Sequence, residues 1–330
     1  MFGLDKWLKL IDPEPVLINQ SACLRARHVR AACRACSDIC PSGAFGFADR
    51  RLTVDASLCS RCGLCLGVCP TAALQVRVID EAALDGAVDV RCSRAPGDGV
   101  AVPCLGALSH DHLVDLGSRR PGVALTAGEC EACPLARGGT LAKATLAAAT
   151  VTLKALDVTE PPQWRTAAAG YPGGEQAAVN RRELLAFWGR SAVQTGRSLL
   201  PDREVNPVKL PAKVPGRRLR WLKRFTPPEH DRRIAWPTRV VRAGCNGCTI
   251  CVGFCPTGAL TAREEDGNWT LLFQVASCVD CKMCISLCPR RVLEPGEAPL
   301  VRELLGGTSQ DLVTVAGADR PVAGGFRPGR

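Results

Sequence analysis

The sequence is poor in aromatic residues (5%), with one tyrosine, two methionines and four histidines. No nucleophile–histidine pair stands out, so covalent hydrolytic chemistry has no candidate. No G-x-G-x-x-G opens a helix after a strand, so no dinucleotide site is expected. No run reaches the apolar length of a membrane span. The nearest approach, Leu141 to Leu156, carries Lys143 and Lys154 and reads as a buried or amphipathic helix. No apolar stretch follows Met1-Phe2-Gly3-Leu4-Asp5-Lys6, so a secretory signal is not expected. The cysteines are therefore read as reduced thiolates of a cytoplasmic protein, not as disulfides.

Cysteine is what the chain has in excess, at 20 of 330 residues. The organising stretch is Cys59-Ser60-Arg61-Cys62-Gly63-Leu64-Cys65-Leu66-Gly67-Val68-Cys69-Pro70, which reads C-x2-C-x2-C-x3-C-P. Three thiolates at this spacing can wrap a loop around three corners of an iron–sulfur cubane. The fourth, one helical turn on, typically ligates the other cluster of a two-cluster unit. Gly63 and Gly67 let backbone close in on the sulfurs, and Pro70 ends the run. The spacing returns at Cys245, Cys248, Cys251, Cys255 and at Cys278, Cys281, Cys284, Cys288, each run closed by a proline.

An earlier run is irregular. Cys33, Cys36 and Cys40 fit its last three positions, but the first would be Arg30, which cannot be a ligand. Cys23 can loop back to fill that corner; otherwise the site is incomplete and suits a three-iron cluster. Phe45 to Val54 alternates around Asp49-Arg50 and reads as a hairpin, as does Leu260 to Val275 around Asp266-Gly267-Asn268.

These runs make residues 20–80 and 239–295 resemble the bacterial two-cluster ferredoxins. The resemblance implies a polyferredoxin with four [4Fe-4S] clusters. It assigns one to Cys23, Cys33, Cys36 and Cys69, and a second to Cys59, Cys62, Cys65 and Cys40. A third falls to Cys245, Cys248, Cys251 and Cys288, and a fourth to Cys278, Cys281, Cys284 and Cys255. The expected fold class is α+β: two ferredoxin-like two-cluster modules, residues 1–80 and 239–299, flanking a small α/β domain, 81–158, with a basic linker carrying short helices over 159–238 and a C-terminal tail over 300–330. Phe2 to Leu10 reads as an amphipathic docking segment, and residues 300–330 suggest a short strand or helix before a Gly/Pro/Arg-rich end.

In the middle domain, Val88 to Cys92, Val100 to Cys104 and Val123 to Leu125 read as strands, and Leu105 to Leu116 and Leu135 to Leu156 as helices. Alternation of the two suggests a parallel sheet. Two strands end in cysteine and Cys130 and Cys133 follow the third, so Cys92, Cys104, Cys130 and Cys133 converge at the crevice where such sheets bind ligands. A fifth iron–sulfur cluster, [4Fe-4S] or [2Fe-2S], or a tetrahedral zinc, suits four cysteines there. Val102-Pro103-Cys104-Leu105-Gly106 and the later C-x2-C give this domain alone a faint resemblance to the delta subunit of methyl-viologen-reducing hydrogenases.

The formal charge of +10 suggests nucleic acid or an anionic surface until the metal is counted. Five four-iron, four-thiolate clusters would contribute about −10, roughly cancelling it. The basic stretch Gly216 to Phe225 has an apolar side of Leu219, Trp221, Leu222 and Phe225, fit to pack on a domain, dock an acidic partner or lie on a membrane surface. Asn180 can cap a helix through Trp188, and Arg181-Arg182 lacks the apolar stretch of an export signal. His110 and His112 flank Asp111 at a helix start and suit a surface or capping role rather than ligation, and His28 reads as solvated.

The leading expectation is a non-catalytic electron-transfer subunit of a redox complex. Its partners would be a catalytic oxidoreductase subunit and an electron carrier or membrane redox partner, reached from the cytoplasm or the inner membrane face. One alternative is a redox enzyme whose middle cysteines act on a thiol or disulfide. Another is a nucleic-acid-binding protein with structural clusters, although no fold signature for it is present.

Overall fold

The computed structural model describes residues 15–76, 79–167, 214–228 and 231–316. Phe2 to Leu10, Gly170 to Gly174, Arg181-Arg182 and the helix expected from Asn180 to Trp188 lie outside them.

The first cysteine-rich module runs β1 (Val16–Ile18), α1 (Leu24–Arg27), α2 (Ala35–Ile39), β2 (Phe45–Ala48), β3 (Arg51–Val54), α3 (Leu64–Val68) and β4 (Leu74–Val76). Strands β2 and β3 form the expected hairpin, with Asp49 and Arg50 both left-handed (φ 48° and 59°), as a two-residue turn requires. Strands β1 and β4 pair antiparallel, Val16 opposite Val76.

The middle domain comprises α4 (Glu81–Asp85), β5 (Asp89–Cys92), β6 (Val100–Val102), a 3-10 turn (Leu105–Ala107), α5 (His110–Arg119), β7 (Ala124–Ala127), α6 (Ala136–Ala155) and β8 (Gln163–Thr166). Its strands form a wholly parallel sheet in the order β6-β5-β7-β8. Two corrections follow. The single helix expected over Leu105 to Leu116 is broken, because Ser109 accepts the His112 N–H and starts a new helix with a capping box. The linker expected from 159 starts later, because Glu160-Pro161-Pro162 marks a sharp connection and not a domain end; β8 beyond it is the fourth strand of the sheet.

The second module runs β9 (Arg239–Val241), α8 (Ile250–Phe254), β10 (Leu260–Glu265), β11 (Asn268–Gln274), α9 (Met283–Leu287) and β12 (Leu293–Pro295). It repeats the first, with β9 on β12 and the hairpin β10–β11 turning at Asp266-Gly267. The stretch expected to be a tail contributes α10 (Val301–Leu305) and β13 (Ser309–Ala316) in this order of space: helix against Val275–Ser277, strand alongside β11. Val301, Leu304, Leu305 and Val315 are buried there, so the hairpin needs this segment to cover its apolar side.

Between the middle domain and the second module lies the basic stretch, helix α7 (Gly216–Leu222). Trp221 and Leu222 enter the largest core, which joins the middle domain to the second module through Trp236 and Phe273. The arginines on this helix do not simply face solvent. Arg217 and Arg224 pair with Asp115, Arg217 also with Glu81, and Arg218 with Asp111. Of the three readings of this segment, packing on the protein's own domain is the one the contacts favour. Among the described residues no helix is long and apolar enough to cross a membrane.

Candidate iron–sulfur sites

The cysteine loops are curled by unusual backbone. In the three complete runs, the second residue after the first cysteine and the fourth both have positive φ: Arg61 and Gly63, Gly247 and Thr249, Asp280 and Lys282. Left-handed non-glycine residues each cost roughly 1 kcal/mol or more. The same departure at matching positions of the three runs is what turns three sulfurs to one side. The irregular run does not share it, since Arg34 has φ −129°. Its loop does not need to present a sulfur from position 30.

The structure gathers the cysteines as the spacing and the resemblance suggest. Cys23, Cys33, Cys36 and Cys69 line one small cavity with Leu52 and Leu74. Cys40, Cys59, Cys62 and Cys65 line another with Val16 and Phe45. Cys245, Cys248, Cys251 and Cys288 surround a third. Cys255 stands close enough to Cys278, Cys281 and Cys284 for their charges to interact. In the middle domain Cys92, Cys104, Cys130 and Cys133 share a cavity with Pro103 and Trp164. All 20 cysteines are free of disulfides. These groups are called below the Cys23, Cys59, Cys245, Cys278 and Cys92 sites.

Electrostatics test whether such groups suit a polynuclear metal core. Burial, and then the thiols of Cys69, Cys33 and Cys23, push Cys36 up to about 11. Burial, and then Cys62, Cys36, Cys59 and Cys40, push Cys65 up to about 12. Cys104, Cys251 and Cys281 rise for the same reasons, burial first. Four thiolates cannot stand together in such places without positive charge among them, which a metal core supplies. Backbone N–H groups already point at several sulfurs: Ala73 at Cys69 (3.2 Å), Gly128 at Cys92 (3.3 Å) and Leu135 at Cys133 (3.4 Å). Donors to sulfur are a usual feature of cluster sites. Among the described residues no three His, Cys, Asp or Glu side chains approach closely enough to share a single metal ion.

Comparison with known proteins agrees for the outer modules. Residues 30–73 and 244–292 each match the family model of the 4Fe-4S dicluster domain. The chain carries two ferredoxin-like dicluster modules in tandem. No curated protein and no solved structure matches the chain. Neither family match reaches the middle domain or Cys23. Two dicluster modules correspond to four [4Fe-4S] clusters.

The bodies touch at defined places. Leu24 and Ala31 of the first dicluster module pack on Met283 and Leu287 of the second, with Cys33 and Cys281 at the same seam. Arg27 donates to the Gly253 carbonyl across it (3.3 Å). On the other side, α3 meets the middle domain through bare backbone: a Cβ on Gly67 would lie 2.1 Å from the Gly106 carbonyl oxygen. Leu64 Cδ2 and Cys104 Sγ lie 2.7 and 2.5 Å from where a Cβ on Gly138 would stand. Within the modules, Cys65 feels Cys36, and Cys251 feels Cys284. The Cys92 site thus lies against α3, which carries cysteines of both first-module sites, and a line of neighbours runs on through the seam of the Cys23 and Cys278 sites.

A cleft of about 950 Å3 opens beside this line, with Cys69, His110, Arg217, Trp236 and Asp280 on its walls. Its arginines are already paired with carboxylates. His112 sits in the capping box and His110 bonds Thr152 (3.0 Å), so both serve structure as expected. His28 is not solvated: its ring meets Phe254 of the second module. Sequence reading missed Arg239, a buried side chain whose Nε donates to Cys284 Sγ at 3.4 Å. Aligning the two modules strand by strand would have found it, because the first has Val16 in its place.

Proposed function

We propose that the protein is an electron-transfer subunit of a redox enzyme complex, holding a line of iron–sulfur clusters along which single electrons pass. The observation that carries this reading is the adjacency of the four-cysteine sites: the two sites of each module adjoin, Cys33 and Cys281 meet at the seam between modules, and Cys104 of the middle domain lies close to α3 of the first. Four clusters would be held by Cys23, Cys33, Cys36 and Cys69; by Cys40, Cys59, Cys62 and Cys65; by Cys255, Cys278, Cys281 and Cys284; and by Cys245, Cys248, Cys251 and Cys288. Cysteine-held clusters supply one-electron chemistry at potentials set by charge, hydrogen bonds and exposure. The chain's own residues exclude water, orient the thiolates and set neighbouring sites in contact.

The Cys92 site is read as a fifth cluster. Cys92, Cys104, Cys130 and Cys133 line one cavity with a backbone N–H on Cys92 and on Cys133, donors of the kind cluster sulfurs take, and a tetrahedral zinc is the alternative occupant of four cysteines. The partners would be a catalytic oxidoreductase subunit and an electron carrier or membrane redox partner.

Anaerobic purification with iron, sulfide and zinc analysis tests the reading. Roughly twenty irons per chain support five four-iron clusters, and roughly sixteen restrict the clusters to the two dicluster modules. A folded, metal-free chain from the same preparation overturns the proposal.

A further inference from the structure

The two dicluster modules are internal repeats, so their differences at matched positions are informative. Strand β1 pairs with β4, and β9 with β12, in the same register: Val16 faces Val76, and Arg239 faces Pro295. Leu74 follows Cys69, and Leu293 follows Cys288, by the same five residues. Val16 and Arg239 thus occupy one position of the repeat, and both are buried, 4% and 3% exposed. Each adjoins the second cysteine run of its module. Val16 lines the cavity of the Cys59 site beside Cys65. Arg239 donates from Nε to Cys284, the matching cysteine.

A buried guanidinium is tolerated only when its donors are taken up. Arg239 gives Nη1 to the Thr238 carbonyl (2.6 Å), Nη2 to Asp280 (2.8 Å) and Nε to the sulfur. Asp280 is half-exposed and shared with Lys282 at 4.0 Å, so it offsets the Arg239 charge incompletely. What remains acts on Cys284 in a setting of low dielectric, where a positive charge and an N–H···S bond both favour the more negative state. The first module offers an aliphatic side chain at that place.

Resting on the electron-transfer reading, we propose that Arg239 is a positioning residue that makes the Cys278 site more easily reduced than it would be with the aliphatic side chain that the repeat carries at this place in the first module. The step is uptake of one electron from a neighbouring reduced site, with no bond made or broken.

The test is an EPR-monitored potentiometric titration of the anaerobically prepared full chain, with dithionite as reductant. The signal of the Cys278 site is the one lost in Cys281→Ser. Arg239→Met should lower the reduced-to-oxidised ratio of that signal at fixed potential by tenfold or more, a shift of at least about 59 mV for one electron. Asp280→Asn, which leaves the guanidinium less neutralised, should move it the opposite way, and the Cys59 site should hold still in both. Where Arg239→Met loses the cluster, Arg239→Lys keeps the charge without the Nε–H and should lower the ratio by a smaller factor. An unmoved potential at wild-type iron content overturns the proposal. So does a shift of Asp280→Asn in the same direction as Arg239→Met, which marks mere loosening of the loop. A wild-type chain without four-iron signals sinks the electron-transfer reading itself, a separate result.

Discussion

His28 of the first dicluster module meets Phe254 of the second edge to face, with ring centroids 4.6 Å apart. Phe254 lies next to Cys255, and His28 caps the helix that begins after Cys23, so the contact joins two cysteine sites as well as two modules. Phe254→Ala should weaken the seam by about 1 kcal/mol beyond its lost area. Hydrogen exchange should show faster opening of α1 and α8 while the sheet of the middle domain keeps its protection.

Cys23 is the candidate ligand that neither the regular spacing nor the family match supplies, and it lines the cavity of Cys33, Cys36 and Cys69. Cys23→Ser should alter one EPR signal and remove between about one and four irons per chain. Unchanged iron and an unchanged spectrum would take Cys23 off the ligand set.

Gly67→Ala separates local from tertiary preference. Within an isolated helix alanine is favoured over glycine by about 1 kcal/mol. Here the added methyl would meet the Gly106 carbonyl at 2.1 Å. The expected sign is therefore reversed, with a net loss of about 1–3 kcal/mol from overpacking against backbone. Chemical denaturation followed by cluster absorbance and by near-ultraviolet circular dichroism should show the middle domain parting from the first module earlier than in wild type.

Asp115 is 1% exposed and takes Arg119, Arg217 and Arg224. Asp115→Asn takes the buried carboxylate from three half-buried guanidinium groups, two of which keep Asp85 or Glu81, so the loss falls below the ~3–5 kcal/mol of breaking a fully buried pair from one side. The helix Gly216–Leu222 should become accessible to limited proteolysis, which the wild-type chain should resist.

Burial pushes the His112 imidazolium down from 6.5 to about 4, with Arg220 adding to the effect against the pull of Asp111 and Asp115. The unfolded chain then binds a proton that the folded chain refuses, so stability is lost as pH falls from about 6.5 towards 4, by about 3 kcal/mol at most. Asp111 works in the same sense at lower pH. Burial opposes its charge, but Arg218 and the His110 and Trp221 donors hold its carboxyl well below the usual range. That stability is present above the usual carboxylate value and disappears as pH drops through the folded one. His112→Gln keeps a capping side chain and should flatten the profile between pH 6.5 and 4 in denaturation curves.

The cysteine sites were legible because ligand spacing is a local property: three sulfurs two residues apart need only a curled loop. Even the distant set Cys92, Cys104, Cys130 and Cys133 could be foreseen, since parallel strands end on one side. What escaped depended on contacts between bodies. Nothing in Arg239 announces a sulfur beside it, and nothing in Gly67, Gly106 and Gly138 announces that three backbones meet. The arginines of Gly216–Leu222 read as a solvated face because their carboxylates sit more than 100 residues away in sequence. The short strand or helix expected at the start of residues 300–330 is both, but its place was hidden because a final strand has no turn partner of its own; β13 pairs with β11 across 35 residues or more.

The seam of Leu24, Ala31, Met283 and Leu287 is small, and as a meeting of two separate proteins it would hold only at high concentration. Written into one polypeptide, it is crossed by tether: each half meets the other at an effective concentration set by the intervening chain, whatever the amount of protein made. Dilution therefore leaves the joint intact, and one copy of each half is guaranteed for every copy of the other.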